Sequence, residues 1–233
     1  MRLKSIAIIP DGNRRFASKG KLSVQNAYGA GFRKVEEVLD WAEGTSINNI
    51  TFWALSLENF KKRSRFELRI LFSLMRHKLR QTLRDKTFEK KKIKVKFFGK
   101  LELLPKDLQA MISELESNTS KFASTLEIAI AYSGREEILN ATRKILVDFY
   151  GRKDALSKAG KLNEKEFEKY LYSPLSPDLI IRTGGVSRLS GFLPWQTAYS
   201  ELYFSNKLWP EFTKEDFKEA VEFYNETERR FGK

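Results

Sequence analysis

Ser5-Ile6-Ala7-Ile8-Ile9-Pro10-Asp11-Gly12-Asn13-Arg14-Arg15 changes character at its centre. A short apolar run rich in isoleucine stops at a proline, and an acid, a turn pair and two arginines follow at once. Ile6–Ile9, apolar at consecutive positions and closed by turn residues, reads as a strand buried on both faces. Asp-Gly and Gly-Asn are favoured turn pairs, so a bare strand-end turn accounts for the polar part. A second reading fits equally: a carboxylate able to hold a hard cation, beside guanidinium groups able to hold phosphate oxygens.

The same pattern recurs along the chain. Ile50–Leu55, Ile93–Phe98, Leu126–Ala131, Leu179–Ile181 and Leu202–Phe204 are further strand candidates, separated by amphipathic stretches at Gly31–Ala42, Phe66–Thr87, Pro105–Ser117, Glu136–Phe149 and Lys214–Arg230. Gly151–Lys161 reads as a surface loop. The alternation predicts an α/β fold, one domain over residues 1–233, with a mostly parallel central sheet flanked by helices. Polar clusters follow nearly every strand: Ser56 to Arg63, Gly99-Lys100, Tyr132-Ser133-Gly134-Arg135 and Arg182-Thr183-Gly184-Gly185. In an open parallel sheet such clusters converge on the rim beyond the carboxyl ends of the strands. Arg182, Arg188 and Ser190 would there build a second anion pocket.

Composition removes several chemistries. There is no cysteine and one histidine, His77, which excludes disulfides, thiolate nucleophiles and His-pair metal sites. No apolar run approaches the roughly 20 residues of a spanning helix, so a soluble, cytoplasmic protein is expected. Of 233 residues, 41% are apolar and 18 are Phe, enough for a large core and an apolar pocket. Net charge is +13; eleven Lys/Arg against two acids between Arg76 and Lys100 carry nine of those charges. Two anion pockets, one carboxylate and an aromatic core suggest substrates with a diphosphate head and a hydrocarbon body.

Ile8-Ile9-Pro10-Asp11-Gly12-Asn13-Arg14-Arg15-Phe16-Ala17 resembles the opening signature of the cis-prenyltransferases, the undecaprenyl and dehydrodolichyl diphosphate synthases. The likeness continues through Thr51-Phe52-Trp53-Ala54-Leu55-Ser56-Leu57-Glu58-Asn59-Phe60 and Ala131-Tyr132-Ser133-Gly134-Arg135, then Asp178 to Gly185 and Arg188 to Gln196. It closes with Glu201-Leu202-Tyr203-Phe204 and Arg230-Phe231-Gly232, and the Pro10 and Leu189-to-Gln196 variants resemble archaeal members.

The resemblance implies a hydrophobic tunnel between sheet and helices and a Mg²⁺-dependent, successive condensation of isopentenyl diphosphate onto an allylic diphosphate. Geranylgeranyl or farnesyl diphosphate would be the starter, and a long Z-polyprenyl diphosphate, a glycosyl carrier lipid of the dolichol type, the product. Asp11 and Asn59 take the catalytic positions, and Asp11 and Glu201 the metal positions. Substrate positions fall on Gly12, Asn13, Arg14, Arg15, Phe16, Tyr28, Ser56, Leu57, Glu58, Phe60, Arg63, Arg182, Arg188, Leu189 and Ser190. Arg63 and Glu67 match a family Arg–Glu pair if one residue is inserted after Phe60, and Lys62 takes the arginine's place without it; an ordinary i,i+4 ion pair is the alternative. Ala54 falls beside the tunnel, where a packed core alanine fits equally well, and Arg230-Phe231-Gly232 matches a motif that crosses a homodimer, with a basic helix cap as the alternative.

Val24 and Tyr28 stand where many members carry an arginine and a histidine, and Val186 and Ser187 where many carry a glutamate and a histidine. A non-catalytic partner subunit of a heteromeric enzyme is therefore the alternative expectation. The basic segment is expected to touch an anionic membrane surface; nucleic acid is not expected as a partner, because the segment lacks interleaved aromatics.

Overall fold

In the computed structural model, which describes residues 2–227, β1 (Ser5–Ile9) leads into α1 (Asn13–Lys19) and α2 (Val24–Ala42). Next come β2 (Asn49–Ser56), α3 (Leu57–Lys62), α4 (Arg65–Asp85) and the short α5 (Thr87–Lys90). β3 (Ile93–Gly99) is followed by α6 (Lys106–Thr119), and β4 (Ser124–Tyr132) by α7 (Gly134–Phe149), α8 (Ala155–Gly160) and α9 (Glu164–Glu168). β5 (Leu179–Arg182), β6 (Glu201–Phe204) and α10 (Lys214–Glu226) complete the order.

The six strands form one sheet in the order β3-β4-β2-β1-β5-β6, and every pairing is parallel. The expected parallel α/β sheet is thus what forms. The chain leaves β1 toward β2 on one side and later returns to place β5 on the other. The carboxyl ends of β1 and β5 therefore flank a switch point, where two connections diverge and leave a crevice. Asp11 follows β1 and Arg182 ends β5, so the topology itself brings them to that crevice.

Period-two alternation divides the core between the faces. Ile6, Ile8, Phe52, Leu126 and Ile130 meet α2, α4, α6 and α10, while Ala7, Ile9, Trp53, Ala129 and Ile180 face Phe192 and Leu193 on the other side. Local sequence sets the helix starts. Ser23, Ser56 and Ser64 each accept a hydrogen bond from the main-chain N–H three residues on, at 3.0–3.2 Å, satisfying a donor that the helix leaves unpaired. α4 ends where Lys86 turns left-handed at φ 50°.

Some expectations need correction. Gly151–Lys161 contains α8 rather than being wholly irregular. Phe66–Thr87 is broken at Lys86, so Thr87 opens α5. The stretch expected to run to Arg230 is helical over Lys214–Glu226, and its last residues lie outside the described part. Among the described residues no helix is long and apolar enough to cross a membrane.

Phe212, fully buried between Trp41 and Trp209 with ring centroids at 6.4 and 6.1 Å, ties α2 to the segment before α10. Phe212→Ala is expected to cost about 3–5 kcal/mol of stability, read as a lowered urea midpoint with little change in slope.

Candidate active site at the β1–β5 switch point

Arg182 is 5% exposed although it carries a fixed charge, and its partners make that burial tolerable. Its guanidinium donates to Asp11 Oδ2 at 3.0 Å, to Ser190 Oγ at 2.8 Å and to the Arg188 carbonyl. The other Asp11 oxygen accepts from Arg15 at 3.2 Å. Thr183 secures the main chain: its hydroxyl donates to the Asp11 carbonyl at 2.9 Å and accepts from the Asp11 N–H at 3.0 Å. Ser190 Oγ also accepts from Arg188 Nε at 3.1 Å, which sets the two arginines side by side.

Arg15 reaches across to the Gly184 carbonyl at 2.6 Å. Gly184 has φ 90°, and a Cβ there would lie 2.5 Å from Arg15, so only glycine permits this approach. The Asp-Gly-Asn-Arg-Arg and Arg-Thr-Gly-Gly clusters, some 170 residues apart, are therefore one site.

Several polar atoms here lack a partner. Asn13 Oδ1, Tyr28 OH, Arg63 Nε and Arg182 Nε are all buried and unbonded, and all four residues line the same cavity. Buried polar groups are nearly always satisfied, so three donors and an amide left open around one space mark a polar ligand site. The Arg63 guanidinium lies 5.3 Å from the Tyr28 ring centroid. Burial pushes the Tyr28 hydroxyl pKa up and the Arg63 pKa down; each group's electrostatic effect on the other opposes that. No ion pair within 4 Å joins Arg63 to Glu67 among the described residues, so the alternative reading of an ordinary i,i+4 pair does not hold, and Arg63 lies over Tyr28 instead.

The cavity behind this lip measures about 650 Å³. Leu126 is level with Ile6, three residues below the end of β1, so the space runs at least about 10 Å down the sheet from the lip. Val95, Phe97, Leu126 and Ile128 form its sheet wall; Val35, Leu71, Met75 and Leu79 form its helix wall. β2 and β4 shift register between Trp53 and Leu55, and the bulged Ala54 turns into the cavity, as expected for a residue beside a tunnel.

Of the expected site residues, Asp11, Gly12, Asn13, Arg14, Arg15, Tyr28, Ser56, Glu58, Asn59, Arg63, Arg182, Arg188 and Ser190 line this cavity. Phe16, Leu57, Phe60 and Leu189 do not. Leu57 is buried in the core, Phe60 packs toward Phe72, and Leu189 packs against the opposite face of the sheet. Glu201 is not brought to Asp11 within the chain. It pairs in register with Leu179, which pairs with Ile6, at the opposite end of the sheet. Arg230-Phe231-Gly232 lies outside the described residues. His77 is exposed on α4 and does not line the cavity.

Sequence reading missed the helix wall and the charged pair in it, Lys78 and Glu36, whose Nζ and Oε1 are 2.6 Å apart. The signal was present as spacing: Leu71, Met75, Leu79 and Thr82 recur at helical intervals, but that pattern describes a core face equally well. Among the described residues no three His, Asp or Glu side chains cluster to hold a metal. A cation at Asp11 would thus draw most of its oxygens from substrate and water, a donor set that suits Mg²⁺ on phosphate.

A cationic lip with unpaired donors above a deep apolar cavity defines an α/β protein for ligands with an anionic head and a hydrocarbon body. The family model for undecaprenyl diphosphate synthases matches residues 9–232, and the chain belongs to that family of prenyltransferases. The tritrans,polycis-undecaprenyl-diphosphate synthase (geranylgeranyl-diphosphate specific) of Thermoplasma acidophilum is 43% identical over 235 residues, covering 100% of this chain and 90% of the relative. The enzyme of the same name from Sulfurisphaera tokodaii is 41% identical, covering 97% and 87%. In structure, lavandulyl diphosphate synthase from Lavandula x intermedia, crystallised with dimethylallyl diphosphate, superposes with a TM-score of 0.89 at 32% identity, covering 100% and 99%.

Because the Tyr28 hydroxyl has no partner in the free protein, Tyr28→Phe should leave the melting temperature equal or higher while weakening inorganic pyrophosphate binding roughly tenfold. Calorimetric titration beside a thermal melt reads both; a large loss of stability would show that the hydroxyl is structural.

Proposed function

We propose that this chain condenses isopentenyl diphosphate repeatedly onto an allylic diphosphate, leaving a Z double bond at each step. The observation that carries the reading is the Asp11 carboxylate, held between Arg15 and Arg182 at the lip of an apolar cavity. Asn13, Arg14, Arg15, Tyr28 and Arg63 would grip the allylic diphosphate, while Arg182, Arg188 and Ser190 hold the second head. Asp11 would hold Mg²⁺, which when bound would supply charge neutralisation for the departing diphosphate. The allylic C–O bond breaks with its electron pair on diphosphate, and the isopentenyl alkene attacks the resulting cation. A proton then leaves, accepted by water or a diphosphate oxygen that Asn59 orients.

Holding two anionic heads side by side sets the attack geometry, and a buried apolar channel accepts the lengthening tail. The relatives' names favour geranylgeranyl diphosphate as starter. A long Z-polyprenyl diphosphate has the chemistry of a glycosyl carrier lipid, made by a cytoplasmic enzyme that visits a bilayer. We also infer a homodimer: Leu139, Leu146 and Tyr150 form an exposed apolar row at helical spacing along and just past α7, beside the exposed Val147.

Purified chain with Mg²⁺, labelled isopentenyl diphosphate and either geranylgeranyl or farnesyl diphosphate should yield extractable polyprenyl product. Absence of label in lipid with both starters would reject the proposal in favour of a silent partner subunit. Asp11→Asn should lower kcat by on the order of a thousandfold with the fold retained. Arg188→Ala should chiefly raise KM for isopentenyl diphosphate.

The basic segment supplies the bilayer contact. Arg80, Lys86, Lys90 and Lys92 are exposed with no ion pair among the described residues, and the last three flank Phe88, a residue of the cavity wall, in the chain. No exposed aromatic stands among them to stack a base. Changing these four to Gln should weaken sedimentation with phosphatidylglycerol vesicles by about fivefold per cation, whereas Gln at Lys121, Lys153, Lys161 and Lys165 should not. Equal losses in the two variants would reject this contact.

A further inference from the structure

Helix α2 carries glycine at two interior positions, Gly29 and Gly31. Glycine inside a helix costs stability relative to alanine, because its backbone loses more freedom on folding. What a side chain would meet differs sharply between the two. At Gly29 a Cβ would find only Arg33 Nη1 among the described residues, at 3.8 Å, an ordinary contact. At Gly31 it would stand 2.4 Å from Asn13 Oδ1 and 3.2 Å from Trp209 Cδ1. Gly31 is buried and lines the cavity, and Gly29 does not line it.

The missing side chain leaves a notch on α2, and the Asn13 amide occupies it. Asn13 opens α1; its oxygen is buried without a hydrogen-bond partner, and its nitrogen donates to the Pro10 carbonyl at 3.4 Å. That nitrogen carries two hydrogens, so one remains for a ligand. An anionic head is repelled by an amide oxygen and attracted by an amide N–H. Stowing the oxygen against Gly31 therefore decides which end of the amide serves the lip.

Trp209 ties this notch to Asp11. It is 1% exposed, its main-chain N–H donates to the Asp11 carbonyl at 2.9 Å, and its indole N–H donates to the Gly31 carbonyl at 2.9 Å. Its ring meets Phe52 edge-on at 5.8 Å and stacks on Phe212 at 6.1 Å. One buried residue thus fixes the spacing between the Asp11 segment and the helix that carries Tyr28.

We propose that Gly31 is a positioning residue for the allylic diphosphate: its bare Cα, held beside Asp11 by Trp209, takes the Asn13 amide oxygen and leaves the Asn13 N–H to the phosphates. This deepens the proposed function and rests on it, since that reading assigns Asn13 to the allylic head. The other head is held differently. Arg188 and Ser190 come from the segment after β5, and no hydrogen bond joins Gly31 or Trp209 to them among the described residues. A side chain at position 31 should therefore weaken one substrate and spare the other.

Gly31→Ala displaces the end of a short side chain, so the melting temperature should stay within a few degrees, alanine's helix preference offsetting the crowding. Calorimetric titration should show geranylgeranyl diphosphate bound about tenfold more weakly and isopentenyl diphosphate within about twofold of wild type. KM for the allylic substrate should rise with kcat nearly unchanged. Gly29→Ala gains the same helix preference without the contact, and should bind both ligands as wild type does. Asn13→Ala should itself weaken the allylic ligand, and adding Gly31→Ala to it should cost nothing more, because the two changes remove one shared contact.

Should Gly31→Ala fail to fold, the double variant decides. If it folds and binds as Asn13→Ala does, the notch is supported; if it also fails to fold, Gly31 serves packing on Trp209 and the assignment is overturned. Unchanged allylic binding in folded Gly31→Ala, equal weakening of both substrates, the same loss in Gly29→Ala, or a full further loss in the Asn13→Ala background would overturn it as well. Failure of the wild-type chain to bind either geranylgeranyl or farnesyl diphosphate would instead reject the proposed function.

Discussion

A guanidinium sits nearly out of water at the end of β5, and the site is arranged around what that demands. Arg182 needs acceptors, and it finds a carboxylate after β1, a hydroxyl and a main-chain carbonyl in the segment after β5. A buried pair of this kind contributes little net stability, because desolvation offsets most of the attraction. Its effect is geometric: the Asp11 carboxylate is aimed, and the ends of two neighbouring strands are held at one spacing. The same three acceptors leave Arg182 Nε without a partner.

Around that pair the molecule separates two environments with one sheet. On the cavity face, strands and helices α2 and α4 leave apolar walls apart rather than interdigitated, and the unpaired polar atoms gather at the lip. On the other face packing is dense and aromatic, with Trp53, Tyr132 and Phe192 in mutual contact. That face also buries Glu127 and Glu137. The rigid side supports the loop that reaches over to the open side, through the Gly134 N–H on the Gly191 carbonyl and Phe192 on Trp53. The bulge at Ala54 belongs to the same division, turning a small side chain into the cavity from a strand whose neighbour Trp53 points away.

How much could be read from the residues depends on the range of the interaction that decides each feature. Ile6–Ile9, Leu126–Ala131 and the serine-capped helices announce themselves because burial on two faces, periodicity and capping act over a few positions. The Asp11 and Arg182 clusters are also legible, since an acid, glycines and arginines at strand ends have few uses in a parallel sheet. Lys86 was not legible as a helix end, because a lysine in a left-handed turn carries no local signal. Nor was α8 in Gly151–Lys161, or the placement of Glu201 at the far end of β6, which follows from strand register rather than from its neighbours in the chain.

The amino-acid sequence by itself determined the parallel α/β class, the clusters that form the lip and the family likeness, because these rest on local pattern and on residue chemistry. Only the tertiary structure decided that the helix stripe of Leu71, Met75 and Leu79 lines a cavity instead of filling a core. It alone paired Arg63 with Tyr28 and left Tyr28 OH unbonded. It alone joined Glu137 to Gln196 across 59 positions. The reason is physical: apolar spacing tells a helix which face to bury but not how far away its partner will stand, and that distance is set by the packing of the whole chain.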